Sequence, residues 1–318
     1  MPKLMIRLFG RFSLKYQERE IEGLEARKLR EVFCYLLLHW NRSHSREMLA
    51  DLLWSDNSGL QSRKNLRQVL WQLQTILSNQ IDPEDEPILQ VETEWVQFNP
   101  KASVWLDVAL FEQTFNLVQG VPGQELDVEA FQKVHETVQL YQGDLLEGWY
   151  EDWCLYERER LHNMYLTMLD KLMDYCEARG NYETGLIYGL RILCHDRTRE
   201  HTHRRMMRLH YLAGDRTGAL RQFNLCQAAL AEELNIKPGK RTLTLYEQIR
   251  EDHMDGTNRA IIEVEPAIEV IIPPLPDMLE RLVQLKLSLL DIQSQIQLCL
   301  DSMDLVLHFQ HNRLLCRP

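Results

Sequence analysis

Residues 62–77 read SRKNLRQVLWQLQTIL. Projected at about 100° per residue, Leu66, Val69, Leu70, Leu73, Ile76 and Leu77 fall on one face. Lys64, Gln68, Trp71 and Thr75 fall on the opposite face, flanked by Gln61 and Arg67. The apolar stripe predicts a core-packed helix over residues 60–78. The polar side is unusual, because no Asp or Glu occurs from Leu60 to Ile81. A solvated helix face usually mixes both signs of charge. Lys and Arg reach phosphates and guanine edges, and Gln suits adenine edges. The helix therefore has the chemistry to lie on nucleic acid, with a plain solvated face as the alternative. Trp71 on that side would stack on sugar or meet a thymine methyl, or else pack under the wing of a winged helix.

The flanking sequence gives this helix a setting. KLMIRLFGRFSLKYQEREIEG (residues 3–23) has β-favouring residues and partial alternation, broken at Gly10, and predicts two or three short antiparallel strands. In LEARKLREVFCYLLLHW, Leu29, Val32, Phe33, Leu36 and Leu37 recur at helical spacing. SREMLADLLW predicts a second helix, with Ser45 at its N-cap and Met48, Leu49, Leu52 and Leu53 as its apolar face. SDNSG is turn chemistry. After residue 78, DPEDEP is a loop, and ILQVETEWVQFNP alternates as a hairpin around Glu92-Thr93-Glu94. Strands, three helices and a hairpin make a winged helix with an extra N-terminal sheet. The hairpin tip carries Glu92 and Glu94 and no cation, which sets acid where phosphates would approach.

Charge follows the same division. The 318-residue chain has a net charge of −11, which alone argues against a general nucleic-acid coat. Residues 1–80, however, hold 13 Lys/Arg against 8 Asp/Glu, and the remainder holds 23 against 39. A basic head on an acidic body fits one localised nucleic-acid module.

Beyond Pro100 the pattern is helical, with helices expected near 107–119, 127–142, 152–179, 182–195, 199–213, 216–234 and 242–252. RGNYETGLIYG (179–189) and AGDRTGALRQF (213–223) resemble one another. Gly180 and Gly214 are 34 residues apart, and so are the small residues Gly185 and Ala219. A 34-residue period with Gly between paired helices is a tetratricopeptide signature; an ordinary helical bundle is the alternative. VEPAIEVIIPPLPD, with four prolines, reads as a linker. After it, Leu282, Leu285, Leu289, Ile292, Ile296 and Met303 lie on a heptad seam. The seam suits self-association or packing back on the helical domain.

Several stretches resemble a known family. LFGRFSLKYQEREIEG, ARKLREVFCYLLLH, SREMLADLLWSD and RKNLRQVLWQLQTIL resemble the OmpR-type winged helix of the Streptomyces antibiotic regulatory protein (SARP) family. WLDVALFEQTF, YQGDLLEGWYEDWCLYERERL and GDRTGALRQFNLCQAALAEELNIKP resemble that family's bacterial transcriptional activator domain, a tetratricopeptide-like module. The resemblance runs over residues 3–250. It implies a DNA-binding transcription factor, usually an activator, that binds promoter repeats and contacts RNA polymerase. The DNA-reading helix would be 61–77, with Arg63, Lys64, Asn65 and Arg67 in its basic start.

The expected fold is mainly α. A winged helix-turn-helix over 1–100 precedes a tetratricopeptide-like all-α domain over 101–255, a Pro-rich linker over 256–276 and a coiled-coil-like helix over 277–312. Base reading is expected from Arg63, Lys64, Arg67, Gln68 and Trp71. Phosphate contact is expected from Arg27, Lys28, Arg30, Arg46 and Thr75. The expected partners are double-stranded DNA, RNA polymerase by resemblance, and a second copy through the C-terminal helix. The rivals are an interaction adaptor whose winged helix binds no DNA, and a ligand-sensing regulator. No enzyme, cofactor, metal or membrane association is expected. CHDRTREHTH gathers Cys194, His195, His201 and His203 at spacings that match no zinc pattern. KPGKRT (237–242) lacks the upstream glycines of a phosphate loop. No nucleophile elbow or metalloprotease motif occurs. Seven scattered cysteines without a CxxC pair suit a reducing compartment, and the location is expected to be cytoplasmic.

Overall fold

The structure is a computed structural model, described over residues 3–55 and 58–253. The expected linker and the heptad residues Leu282 to Met303 lie outside the described residues.

The N-terminal strands form as the alternation dictates. β1 (Leu4–Arg7) and β2 (Ser13–Tyr16) pair antiparallel, and β2 pairs with β3 (Arg19–Glu20). Leu4, Ile6 and Leu14 are buried on one side of this sheet. Helix α1 (Arg27–Leu38) buries Leu29, Val32, Phe33, Leu36 and Leu37, the stripe its period predicts. A short β4 (Ser43–Ser45) precedes α2 (Arg46–Leu53), and α3 spans Gly59–Gln80. The hairpin strands β5 (Leu89–Val91) and β6 (Trp95–Phe98) complete a second sheet, ordered β4-β6-β5. This is a winged helix.

Ser45 occupies the N-cap of α2 as expected, though its side chain makes no capping bond. Met48 and Leu52, assigned to the apolar face, are 40% and 42% exposed, while Leu49 and Leu53 are buried. Eight residues give little more than two turns, and only one edge of this helix meets α3.

The sequence reading misses β7 (Val104–Leu106), which pairs parallel with β1 in a sheet ordered β3-β2-β1-β7. The helical region thus begins with a strand that completes the N-terminal sheet. Then follow α4 (Asp107–Val118), α5 (Val128–Val138), α6 (Asp152–Ala178), α7 (Tyr182–His195), α8 (Glu200–Leu212), α9 (Arg216–Ala229) and α10 (Lys240–Glu251). α5 stops four residues earlier than expected. α9 continues as a π-helical turn (Leu230–Leu234) that closes on Asn235 in the left-handed region, φ 53°.

The 34-residue repeat is structural. Gly180 and Gly214 end α6 and α8 with φ +74° and +83°, a left-handed conformation that glycine adopts without a Cβ penalty. In each turn an N–H reaches back five residues: Asn181 to the Cys176 carbonyl (2.9 Å) and Asp215 to the His210 carbonyl (2.8 Å). This is the Schellman closure of a helix C-terminus. A Cβ on Gly185 would sit 3.0 Å from a Leu209 methyl, and Ala219 is fully buried. Both small residues let adjacent helices approach closely.

Charged and backbone groups join the winged helix to the helical region. The buried Asp107 carboxylate accepts N–H bonds from Leu8 (2.9 Å), Phe9 (3.0 Å) and its own neighbour Val108 (2.8 Å). The segment after β1 also exchanges backbone bonds with residues 144–147: Gly10 to Asp144, Leu146 to Leu8 and Glu147 to Gly10. Arg158 on α6 then donates to the carbonyls of Leu145, Leu146 and Trp149 at 2.9–3.0 Å. Arg160 bridges Glu112 of α4 and the buried Glu157. Within ERERL, Arg158 therefore braces GDLLEGW, Arg160 and Glu157 turn to Glu112 of α4, and Glu159 stays exposed.

Candidate nucleic-acid interface

Helix α3 is fixed along its length. At its start the Ser62 hydroxyl donates to the Trp54 carbonyl at 3.1 Å. Leu66, Val69, Leu70, Leu73 and Leu77 are buried along its inner face. Ile76, assigned to the same face, is half-buried and rests 3.4 Å from where a Cβ of Gly23 would stand. At its end the Gln80 amide bonds both the N–H (2.9 Å) and the carbonyl (2.8 Å) of Glu22.

This anchorage leaves Gln61, Arg63, Lys64, Arg67, Gln68 and Trp71 exposed along the outer side, with Thr75 half-buried. Trp71 is 64% exposed, so it does not pack beneath the wing. The Thr75 hydroxyl donates to the Trp71 carbonyl within the same helix (2.8 Å). Asn65 accepts a bond from the Gln61 amide (2.8 Å) and does not cap the helix. Arg63 is ion-paired with Glu47 in the first turn of α2. Lys64 and Arg67 have no ion pair or side-chain hydrogen bond among the described residues.

The other cations assigned to phosphate are each engaged within the molecule. Arg27 pairs with Glu151, just before α6, at 2.6 Å, and stays largely exposed. The Lys28 ammonium meets the buried Glu31 (2.8 Å) and the Leu53 carbonyl (2.7 Å), over the Trp54 ring. Arg30 donates to the Leu24 carbonyl (3.0 Å) and lies over Phe12. Arg46 donates to the Glu92 carbonyl at the wing tip (3.0 Å), and its N–H bonds Glu94. Lys28 and Glu31 stand at i,i+3 within α1, a spacing legible in the sequence, whereas the other partners come from separate segments whose separation carries no periodicity.

The remaining polar clusters are structural. His203 is buried: its Nε2 faces the Arg197 carbonyl (2.9 Å) and its Nδ1 the Gln222 amide (2.8 Å). Burial lowers its pKa below the usual histidine range. Cys194 and His195 sit apart from this bond pair at the end of α7, and no cluster of three or more metal-binding side chains occurs among the described residues. At KPGKRT the anion at the helix N-terminus is internal. Glu200 accepts the Gly239 N–H (2.9 Å) and the Thr242 hydroxyl and pairs with Arg204. Four of the five described cysteines are buried, and Cys194 is exposed. No described helix is long and apolar enough to cross a membrane.

Residues 106–250 match the family model of the bacterial transcriptional activator domain. No curated protein matches the sequence. Among solved structures the chain is similar to Mycobacterium tuberculosis EmbR, determined in complex with a low-affinity phosphopeptide. The TM-score is 0.58 at 17% identity, over 79% of this chain and 65% of that one. At that identity the likeness bears on the fold, and this chain spans about two thirds of that chain's length. The chain thus carries, over residues 106–250, a match to the bacterial transcriptional activator domain behind a winged helix, an arrangement similar to that of SARP-type transcriptional regulators.

Proposed function

We propose that the protein regulates transcription by binding specific double-stranded DNA through the outer face of α3. One observation carries this reading. Lys64 and Arg67 stand exposed, without an intramolecular partner among the described residues, on a helix side that has no carboxylate of its own. Unpaired, closely spaced cations lose favourable interactions only with water, and they regain them against phosphates or guanine edges. With Arg63, Gln68 and Trp71 they form the base-reading set, and the winged helix occupies residues 1–100. The helical domain, residues 101–255, positions the winged helix through the Asp107 carboxylate and the backbone bonds of residues 144–147 to Leu8 and Gly10. By the SARP resemblance it contacts RNA polymerase and activates. Phosphate contact from Arg27, Lys28, Arg30, Arg46 or Thr75 needs those residues to share or exchange their present partners. Homodimerisation through residues 277–312 remains part of the proposal.

The test is selection of full-length protein on a randomised duplex pool, followed by anisotropy on the enriched and scrambled duplexes across salt. Preferential, salt-sensitive binding that is lost with K64A/R67A supports the reading. An unenriched pool and no binding at low salt overturn it. A second reading, an adaptor that meets protein through the winged helix, is favoured by the acidic wing tip and by the internal engagement of the other cations.

A further inference from the structure

The three cations at the start of α3 are not equivalent. Lys64 and Arg67 are unpartnered among the described residues, while the Arg63 guanidinium is held by Glu47. Glu47 lies in the first turn of α2, the helix that precedes the reading helix. In helix-turn-helix docking that preceding helix crosses the phosphate backbone while the second lies in the groove. A carboxylate at that place opposes phosphate and weakens general attraction. Both Glu47 and Arg63 remain more than half exposed, so the pair contributes little to folding. Its effect is on where the guanidinium can go. Arginine has five N–H donors in a planar fork, and a bond to one carboxylate leaves others for a bidentate contact with guanine O6 and N7.

We propose that Glu47 is a specificity-determining residue of the DNA-reading face. It restrains Arg63 for base reading and withholds it from the phosphate backbone. This rests on the DNA-binding reading above. Phosphate contacts add affinity without sequence information, so releasing Arg63 trades preference for grip.

The experiment compares full-length wild type, E47Q, E47D, R63A and the double variant E47Q/R63A on the enriched and scrambled duplexes across a salt series. E47Q keeps the size of the side chain and removes its charge. It is expected to tighten binding to the scrambled duplex several-fold, and to reduce the preference for the enriched duplex by about tenfold. The slope of log affinity on log salt should steepen by about one phosphate contact. E47D, which keeps the charge, should retain most of the preference. In the R63A background, E47Q should leave the slope unchanged. An undiminished preference in E47Q, or an equal steepening with and without Arg63, overturns the proposal, since the second marks simple removal of a negative charge. A wild-type protein with no preference for any duplex defeats the underlying DNA reading as well, and is distinguished by that result alone.

Discussion

Two basic regions of this molecule use arginine in opposite ways. On α6, Arg158 has its guanidinium filled by three backbone carbonyls, and Arg160 is closed between Glu112 and Glu157. On α3, Arg67 and Lys64 point to solvent with nothing to bind among the described residues. The ERER and RKNLR stretches look alike as charge-rich helix segments. Their difference is whether the fold itself consumes the charge. A cation that completes the fold marks architecture, and a cation left over marks a surface available to a partner. Arg63 and Arg27 lie between, exposed yet held by one carboxylate each.

The contrast breaks most easily at Arg158. R158A strands three loop carbonyls and should lower stability by about 3 kcal/mol, measured by urea denaturation; a loss below about 1 kcal/mol would place Arg158 with the surface cations. K64A/R67A should do the reverse. Stability should stay within about 0.5 kcal/mol of wild type, while affinity for the enriched duplex falls about 10- to 100-fold. A stability loss comparable to that of R158A would erase the distinction.

Asp107 sharpens the comparison from the acidic side. Burial raises its pKa to about 6, against the three N–H bonds that favour the carboxylate. A folded-state pKa above the unfolded value contributes stability that is present at low pH and lost as pH rises through about 6. Relative to D107N, wild type should therefore gain roughly 1 kcal/mol on going from pH 7 to pH 5, read from paired urea titrations. A pH-independent difference would mean that the seam holds a carboxylate of ordinary pKa. The smallest effect is expected at the wing. E92Q/E94Q should strengthen binding to the enriched duplex by less than about tenfold, and unchanged anisotropy would place the tip away from phosphate.

Much of the fold is legible in the sequence because helices announce themselves locally. The stripes of α1 and α3 and the Gly180 and Gly214 turns are set by neighbours within a few residues. β7 is not legible, since three residues give no period and its partner β1 lies about a hundred positions earlier. The exposure of Met48 and Leu52 depends on which neighbours α2 lacks. The candidate site divides in the same way. The outward direction of Lys64, Arg67, Gln68 and Trp71 follows from helical phase. Whether a cation is free depends on carboxylates and carbonyls from other elements, as with Glu47 for Arg63 and Glu151 for Arg27.

The parallel pairing of β1 with β7 has a practical consequence for dissecting the protein. A fragment that ends at the hairpin, near Pro100, strips the last strand from the N-terminal sheet and removes the Asp107 carboxylate from the Leu8 and Phe9 amides. The bared β1 edge would then be a template for pairing between molecules. Such a piece invites precipitation that could be mistaken for a failure to recognise its target. A cut placed after α4 keeps the strand and its carboxylate, although it exposes the helix's inner face.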